Sequence, residues 1–302
     1  MHEHFHPHIH VTIREDKQNN EWGGKMKVAV VGAGTMGTGI AQVIAMSGFD
    51  VTLHDVEQVA LDNSLEKMKD SLAKLATKNP SINSKEVINR ITLSTDYTTL
   101  QNQDIIIEAI NENIDQKHIF YKKLDVLCEE QTIFVTNTSS LQVSEIAAAT
   151  NRKDRFCGLH FFNPVPLMDL VEMTFLDETS ERTKATIESF VERLGKTVIR
   201  VADTPLFIVN RILVPMICEA IELVGEGTAS AADVDRAMKL GAHHPIGPLW
   251  MADMIGLDTM LNIQQALYDK TGKGKYKVPP LLIEMVEQNL LGRKTGKGFY
   301  EY

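Results

Sequence analysis

His160 and Glu172 have the residue types and the spacing for acid–base chemistry. They lie in the stretch Gly158-Leu-His-Phe-Phe-Asn-Pro-Val-Pro-Leu-Met-Asp-Leu-Val-Glu172. The apolar runs 156–162 and 168–175 read as strands, and Asn163-Pro164-Val165-Pro166 reads as the turn between them. Antiparallel pairing about that turn sets His160 opposite Glu172 and Phe162 opposite Leu170. A carboxylate fixes the tautomer of a neighbouring imidazole and stabilises its protonated form, so such a pair is a general base. The plain alternative is a core histidine satisfied by a chance carboxylate. What lies around the pair separates the two readings.

A second group of residues points to phosphate chemistry. A short apolar strand at 27–31 runs into Gly32-Ala33-Gly34-Thr35-Met36-Gly37, followed by a helical pattern through Met46 and a stop at Ser47-Gly48. A further strand, 49–53, ends at His54-Asp55. Gly32 permits the tight turn, Gly34 lets backbone approach a pyrophosphate, and Gly37 lets helix and strand pack closely. The helix N-terminus, with Thr35 and Met36, presents free N–H groups and the positive end of the helix dipole. Asp55 follows Gly37 by 18 residues, where a carboxylate accepts hydrogen bonds from ribose hydroxyls. It would repel a 2′-phosphate, and Val56 brings no cation, so NAD is preferred over NADP.

The elements that position these groups alternate as in a doubly wound α/β sheet. Helical patterns are expected at 57–78 and 116–127, and strands at 90–94, 104–110 and 132–136. The last strand opens into the polar loop Asn137-Thr-Ser-Ser140. Ligands of such sheets sit beyond the carboxyl ends of the strands, which draws Ser139 toward the site, although serine alone reads as a loop or cap residue. A helix at 180–194 and a strand at 197–201 complete the pattern. From Phe207 onward the periodicity is helical, at 208–224, 231–240, 257–268 and 280–290. The expected organisation is a flexible His-rich extension over 1–25, a Rossmann-like NAD-binding domain over 26–203 and an all-helical domain over 204–302.

Composition restricts the remaining choices. The chain has 302 residues, 43% hydrophobic and 24% charged, with formal net charge −9. That is an ordinary globular balance, with room for two cores. No basic cluster points to nucleic acid, and no apolar run reaches the roughly 18–20 residues of a bilayer span. The three cysteines, Cys128, Cys157 and Cys218, sit singly in apolar patterns and read as reduced thiols of a cytoplasmic protein. Five of the ten histidines alternate within the first ten residues; a weak metal site there would have to overcome the entropy of a free segment. The lysines of the 57–78 pattern (Lys67, Lys69, Lys74 and Lys78) read as a solvated face, or as a landing surface for an anion.

Taken together, Gly32-Ala-Gly-Thr-Met-Gly-Thr-Gly-Ile-Ala-Gln42, Asn137-Thr-Ser-Ser-Leu141, Gly158-Leu-His-Phe-Phe-Asn-Pro-Val-Pro, Phe207-Ile-Val-Asn-Arg211, His244-Pro-Ile-Gly-Pro-Leu249 and Lys294-Thr-Gly-Lys-Gly-Phe-Tyr300 resemble the short-chain L-3-hydroxyacyl-CoA dehydrogenases, most of all the bacterial 3-hydroxybutyryl-CoA dehydrogenases. The likeness runs from about Met26 to Tyr302. It implies an NAD-dependent oxidoreductase of fatty acid or butyrate metabolism, acting on 3-hydroxyacyl-CoA or acetoacetyl-CoA as a homodimer. Carried over position by position, it makes His160 the base and Glu172 its partner. Ser139 becomes a contact to substrate and cofactor, and Asn210 positions substrate. Asp55 matches the ribose-binding acid, Glu112, Lys117, Asn163 and Lys294 match cofactor contacts, and Ser71 and Lys78 match coenzyme A contacts. Three positions depart from the family pattern. Leu206 stands in place of a usual Gly, Trp250 in place of Glu, and Thr136 in place of Ser. A glycine with φ > 0 at position 206 would make leucine strained there. Two other readings remain at this stage: a dehydrogenase of free β-hydroxy acids, and a catalytically weak NAD-binding protein with a structural or regulatory role.

Overall fold

The computed structural model describes residues 26–302; the histidine-rich extension and its candidate metal site lie outside the described residues. From the first strand, β1 (Val28–Val31), the chain passes through α1 (Thr35–Met46), β2 (Val51–His54), α2 (Gln58–Lys78), α3 (Ser84–Asn89), β3 (Ile91–Ser94), β4 (Ile105–Glu108) and α4 (Ile114–Leu127). It continues through β5 (Ile133–Thr136), α5 (Val143–Ala147), β6 (Phe156–Phe161), β7 (Leu170–Phe175), α6 (Glu181–Arg193) and β8 (Thr197–Arg200). Five helices follow: α7 (Val209–Gly225), α8 (Ala231–Gly241), α9 (Pro248–Ile255), α10 (Leu257–Thr271) and α11 (Pro280–Glu287).

The strands form one eight-stranded sheet in the order β3-β2-β1-β4-β5-β6-β7-β8. β1 to β6 are parallel, and β7 and β8 run the other way. The expected doubly wound α/β sheet with a helical C-terminal part is the observed architecture. The strand order reverses between β1 and β4, and at such a point the connections diverge and leave a crevice at the carboxyl ends. One apolar layer packs α1, α2 and α6 on the sheet, through Ile40, Ile44, Leu61, Met68, Leu72, Ile187 and Phe190. The other packs α4 and α5, through Phe120, Tyr121, Leu124 and Ile146. Every residue of β1, β4 and β5 is buried, as strands covered on both faces must be. The helical part has its own core, built on Ile217, Ile221, Leu249, Leu257, Met260 and Leu282.

The pairing of β6 with β7 sets His160 opposite Glu172, as the sequence predicts. The ladder closes at Phe161↔Val171, one pair short of the expected Phe162–Leu170. Three helices depart from the sequence reading. α3 and α5 have six and five residues, too short to show a period. α9 starts at Pro248, where a proline at the first helical position is well tolerated but reads as a break in sequence. No helix of the described residues is long and apolar enough to cross a membrane. All three cysteines are free and buried, and burial pushes the Cys128 thiol up to about 11.

Candidate active site

His160 is the next-to-last residue of β6, at the carboxyl end of the parallel strands. Its Nδ1 lies 2.8 Å from Glu172 Oε2. Both side chains are buried, at 6% and 1% exposure, so the pair is shielded from competing water. The other carboxylate oxygen, Oε1, accepts the backbone N–H groups of Ile208 at 3.0 Å and Val209 at 2.9 Å. These are orphan donors at the start of α7. Burial acts to raise the Glu172 pKa, but the hydrogen bond and charge of His160 and the two N–H groups outweigh it and hold the carboxyl below its ordinary value. An ionised carboxylate only accepts, so Nδ1 carries the proton and Nε2 is left with a lone pair. Phe162 and Phe207 pack on the imidazole, with ring centroids 4.3 and 5.7 Å away.

A polar cluster built on the buried Lys117–Glu108 pair lies at the neighbouring strand ends. Lys117 of α4 is 1% exposed. Its Nζ lies 2.5 Å from Glu108 Oε1 and 3.3 Å from Glu112 Oε2. Glu108, at the end of β4, also accepts from Thr136 Oγ1 at 2.7 Å and from the Ile110 N–H at 2.9 Å. Glu112 Oε1 gathers the 138–140 loop: Thr138 Oγ1 at 2.5 Å, Ser139 N at 2.9 Å, and Ser140 N and Oγ at 3.0 Å. Burial would raise the Glu112 pKa; the Lys117 charge and the loop donors reverse this and lower it. Asn137 Oδ1 takes the Phe161 N–H at 2.9 Å and joins this loop to the His160 strand. Ser139 is therefore fixed by its backbone, with its hydroxyl outside this set of bonds.

The glycine loop fits a dinucleotide. Gly32 has φ +104, and a Cβ there would meet Ala109 O at 2.5 Å; one on Gly37 would meet Gly32 O at 1.7 Å. A Cβ on Gly34 meets nothing within 4 Å. Packing therefore demands glycine at the first and third positions, while the second faces open space over the α1 N-terminus. No side chain caps that helix, so its leading N–H groups are available to an anion. Asp55 accepts the Ala33 N–H at 2.7 Å and the Glu57 N–H at 3.0 Å, which sets its carboxylate against the loop. Beside it lies a cavity of about 310 Å³, lined by His54, Tyr97, Ile119, Phe120 and Lys123 among others, of a size for a planar base. Lys123 Nζ sits 3.1 Å from the Tyr97 ring centroid; this cation was not visible from the Asp55-Val56 reading.

The remaining sequence candidates lie on several elements. Asn210 is the second residue of α7, directly after the N–H pair held by Glu172. Ser71 of α2 accepts from Gln42 of α1 at 3.0 Å, and Lys78 ends α2 exposed. Asn163 is exposed in the β6–β7 turn. Lys294 pairs with Asp258 at the start of α10. Leu206 has φ 63 and Phe207 φ 52, so the expected strain at position 206 is present and extends to the next residue. Left-handed backbone costs an L-residue about 1–2 kcal/mol, whereas burying a large apolar side chain is worth roughly 1.5–3 kcal/mol. Both side chains are buried, at 2% and 4% exposure, and this offsets the backbone cost. Trp250, partly exposed on α9, donates its backbone N–H to the buried Asp235 at 2.9 Å.

Residues 27–204 match the model of the 3-hydroxyacyl-CoA dehydrogenase NAD binding domain, and residues 207–302 that of the 3-hydroxyacyl-CoA dehydrogenase C-terminal domain. The chain belongs to the 3-hydroxyacyl-CoA dehydrogenase family. It is an NAD-dependent oxidoreductase with a Rossmann-type fold. It is 46% identical to the 3-hydroxybutyryl-CoA dehydrogenase of Clostridioides difficile over 279 residues, covering 92% of this chain and 99% of that one. It is 44% identical to the mitochondrial hydroxyacyl-coenzyme A dehydrogenase of Homo sapiens, covering 91% and 90%. The crystal structure of (S)-3-hydroxybutyryl-CoA dehydrogenase from Ralstonia eutropha superposes with a TM-score of 0.88 at 45% identity, over 92% of this chain and 99% of that chain.

In this dehydrogenase the sequence reading missed Glu108, Asn137 and Thr136 as supports of the site. Glu108 closes the run Ile-Ile-Ile-Glu at a strand end. A carboxylate there, at the edge of an otherwise apolar buried strand, is the signal that points to it.

Proposed function

We propose that the chain interconverts (S)-3-hydroxybutyryl-CoA and acetoacetyl-CoA, with His160 as general base and Glu172 as its partner. The observation that carries this reading is the 2.8 Å hydrogen bond between His160 Nδ1 and Glu172 Oε2. It leaves Nε2 as the free basic nitrogen at the carboxyl end of the sheet. In oxidation, Nε2 takes the 3-hydroxyl proton, and Glu172 stabilises the resulting imidazolium. In reduction, the same nitrogen returns that proton to the 3-oxygen. Bound NAD supplies the acceptor for the C3 hydride in one direction and, reduced, the donor in the other.

The remaining roles follow the same proposal. Ser139 and Asn210 orient the 3-oxygen and the thioester. Glu112 and Lys117 act on the cofactor side by holding the 138–140 loop. Gly32, Gly34, Thr35, Met36 and Gly37 form the pyrophosphate seat, and Asp55 the ribose contact that favours NAD. Asn163 and Lys294 are further cofactor contacts. Ser71 and Lys78 take the coenzyme A portion. A homodimer is supported by the exposed Ile212, Leu240 and Met254 of the helical part, and a reducing, cytoplasmic setting by the three free thiols.

NADH oxidation with acetoacetyl-CoA, run beside free acetoacetate, tests this reading. Turnover that requires the thioester supports it; equal turnover with the free acid would favour a free-acid dehydrogenase, and none with either would leave only cofactor binding.

A further inference from the structure

We propose that Leu206 is a positioning residue, riveting the helical part of the chain to the catalytic pair. The proposal rests on the reading of His160 and Glu172 as that pair. Four successive residues at the joint, Leu206 to Val209, are held by three sets of partners. Thr204 to Phe207 form a turn, closed by the Phe207 N–H on the Thr204 carbonyl at 3.2 Å. Pro205 stands second and Leu206 third, with φ 63. A turn with proline second and positive φ third is one that favours Gly or Asn at the third place, so leucine is not there for the backbone's sake. Its side chain is buried among Leu267 and Tyr276, with Ile263 and Tyr268 around them, on α10 and the turn after it. Phe207 is buried in a different cluster, the sheet layer of Phe120, Tyr121 and Phe156, with its ring 5.7 Å from that of His160. The next two N–H groups, of Ile208 and Val209, bind Glu172 Oε1, and Asn210 follows.

The chain therefore reaches Glu172 with its direction set by two anchors in two separate cores. Removing the Leu206 anchor frees the joint to pivot on Phe207. The N–H donors of Ile208 and Val209 then move relative to Glu172, and Asn210 moves relative to His160. The loss falls on the chemical step, because the glycine loop and Asp55 lie on the other side of the sheet order from this joint.

The test separates anchoring from backbone relief with three variants. Leu206→Met keeps an apolar anchor and the backbone strain. Leu206→Asn and Leu206→Gly relieve the strain and lose the anchor. kcat with acetoacetyl-CoA, KM for NADH and the pH–rate profile are measured well below each Tm, with His160→Gln beside them. The expected result is Leu206→Met within about threefold of wild type. Leu206→Asn and Leu206→Gly should each lose about 10–10²-fold in kcat, the scale of a displaced catalytic group, with KM for NADH unchanged and the apparent pKa of the base shifted. Wild-type kcat and pH profile in the Asn and Gly variants would overturn the proposal, as would losses equal in all three. A His160→Gln enzyme that still turns over would instead remove the catalytic reading on which the proposal stands.

Discussion

The His160 imidazole and the Glu172 carboxylate, cross-strand neighbours in β6 and β7, are joined by a 2.8 Å hydrogen bond. The second oxygen of the same carboxylate holds the first turn of α7. One buried acid thus orients the His160 imidazole and fixes the entry of the helix that bears Asn210. Chemistry and joint are coupled through a single side chain.

Glu172→Gln tests the tautomer argument. The glutamine carbonyl can still accept the Ile208 and Val209 N–H groups, so the fold should persist. Its amide would donate to Nδ1, moving the ring proton to Nε2 and removing the lone pair. The expected loss in kcat is about 10²–10⁴-fold, with NADH affinity nearly unchanged. The pH dependence has a definite sign. The Glu172 pKa is depressed in the fold, so the stability it contributes is present above the ordinary carboxylate pKa and is lost as pH falls through the depressed value. Acid unfolding of wild type and the Gln variant should differ in that window; superimposable acid transitions would contradict the assignment.

Lys117 is the buried cation of an ion pair with the buried Glu108 and lies 3.3 Å from the more exposed Glu112. Lys117→Met keeps the length of the side chain and leaves a buried acid without its counter-charge. Breaking such a pair costs about 3–5 kcal/mol. Thermal unfolding should show a fall in Tm on the order of 10 °C, together with a higher KM for NADH as the 138–140 loop loosens. An unchanged Tm would mean that the cation does not support the loop.

Lys78, exposed at the end of α2, should affect the coenzyme A end alone. Lys78→Ala is expected to raise KM for acetoacetyl-CoA several-fold, on the order of 1 kcal/mol for an exposed charged contact, while KM for NADH stays put. Equal KM values in wild type and variant would return this helix face to simple solvation.

The sequence made the pair legible because a strand period of two and one turn fix a register by themselves. The glycine loop was legible for a similar reason: its demands are local, between Gly32, Gly37 and the strand beside them. What escaped depended on distant partners. Glu112 was matched only as a cofactor contact, and its hold on loop atoms 26 to 28 residues away escaped, as did Glu108, which accepts from Thr136 across a strand pair. Leu206 showed as a left-handed position only through the resemblance, and its compensation by Leu267 and Tyr276 lies about 60 to 70 residues along the chain, beyond any local pattern. α9 was hidden by its own start signal, since a proline at the first helical position reads as a break.

The proposed role of His160 is to move the proton. The direct measurement is kcat for NADH oxidation by acetoacetyl-CoA in His160→Gln, with NADH binding followed by fluorescence in the same preparation. The expected result is a loss of at least about 10²-fold in kcat with NADH binding retained; turnover near that of wild type would contradict this role.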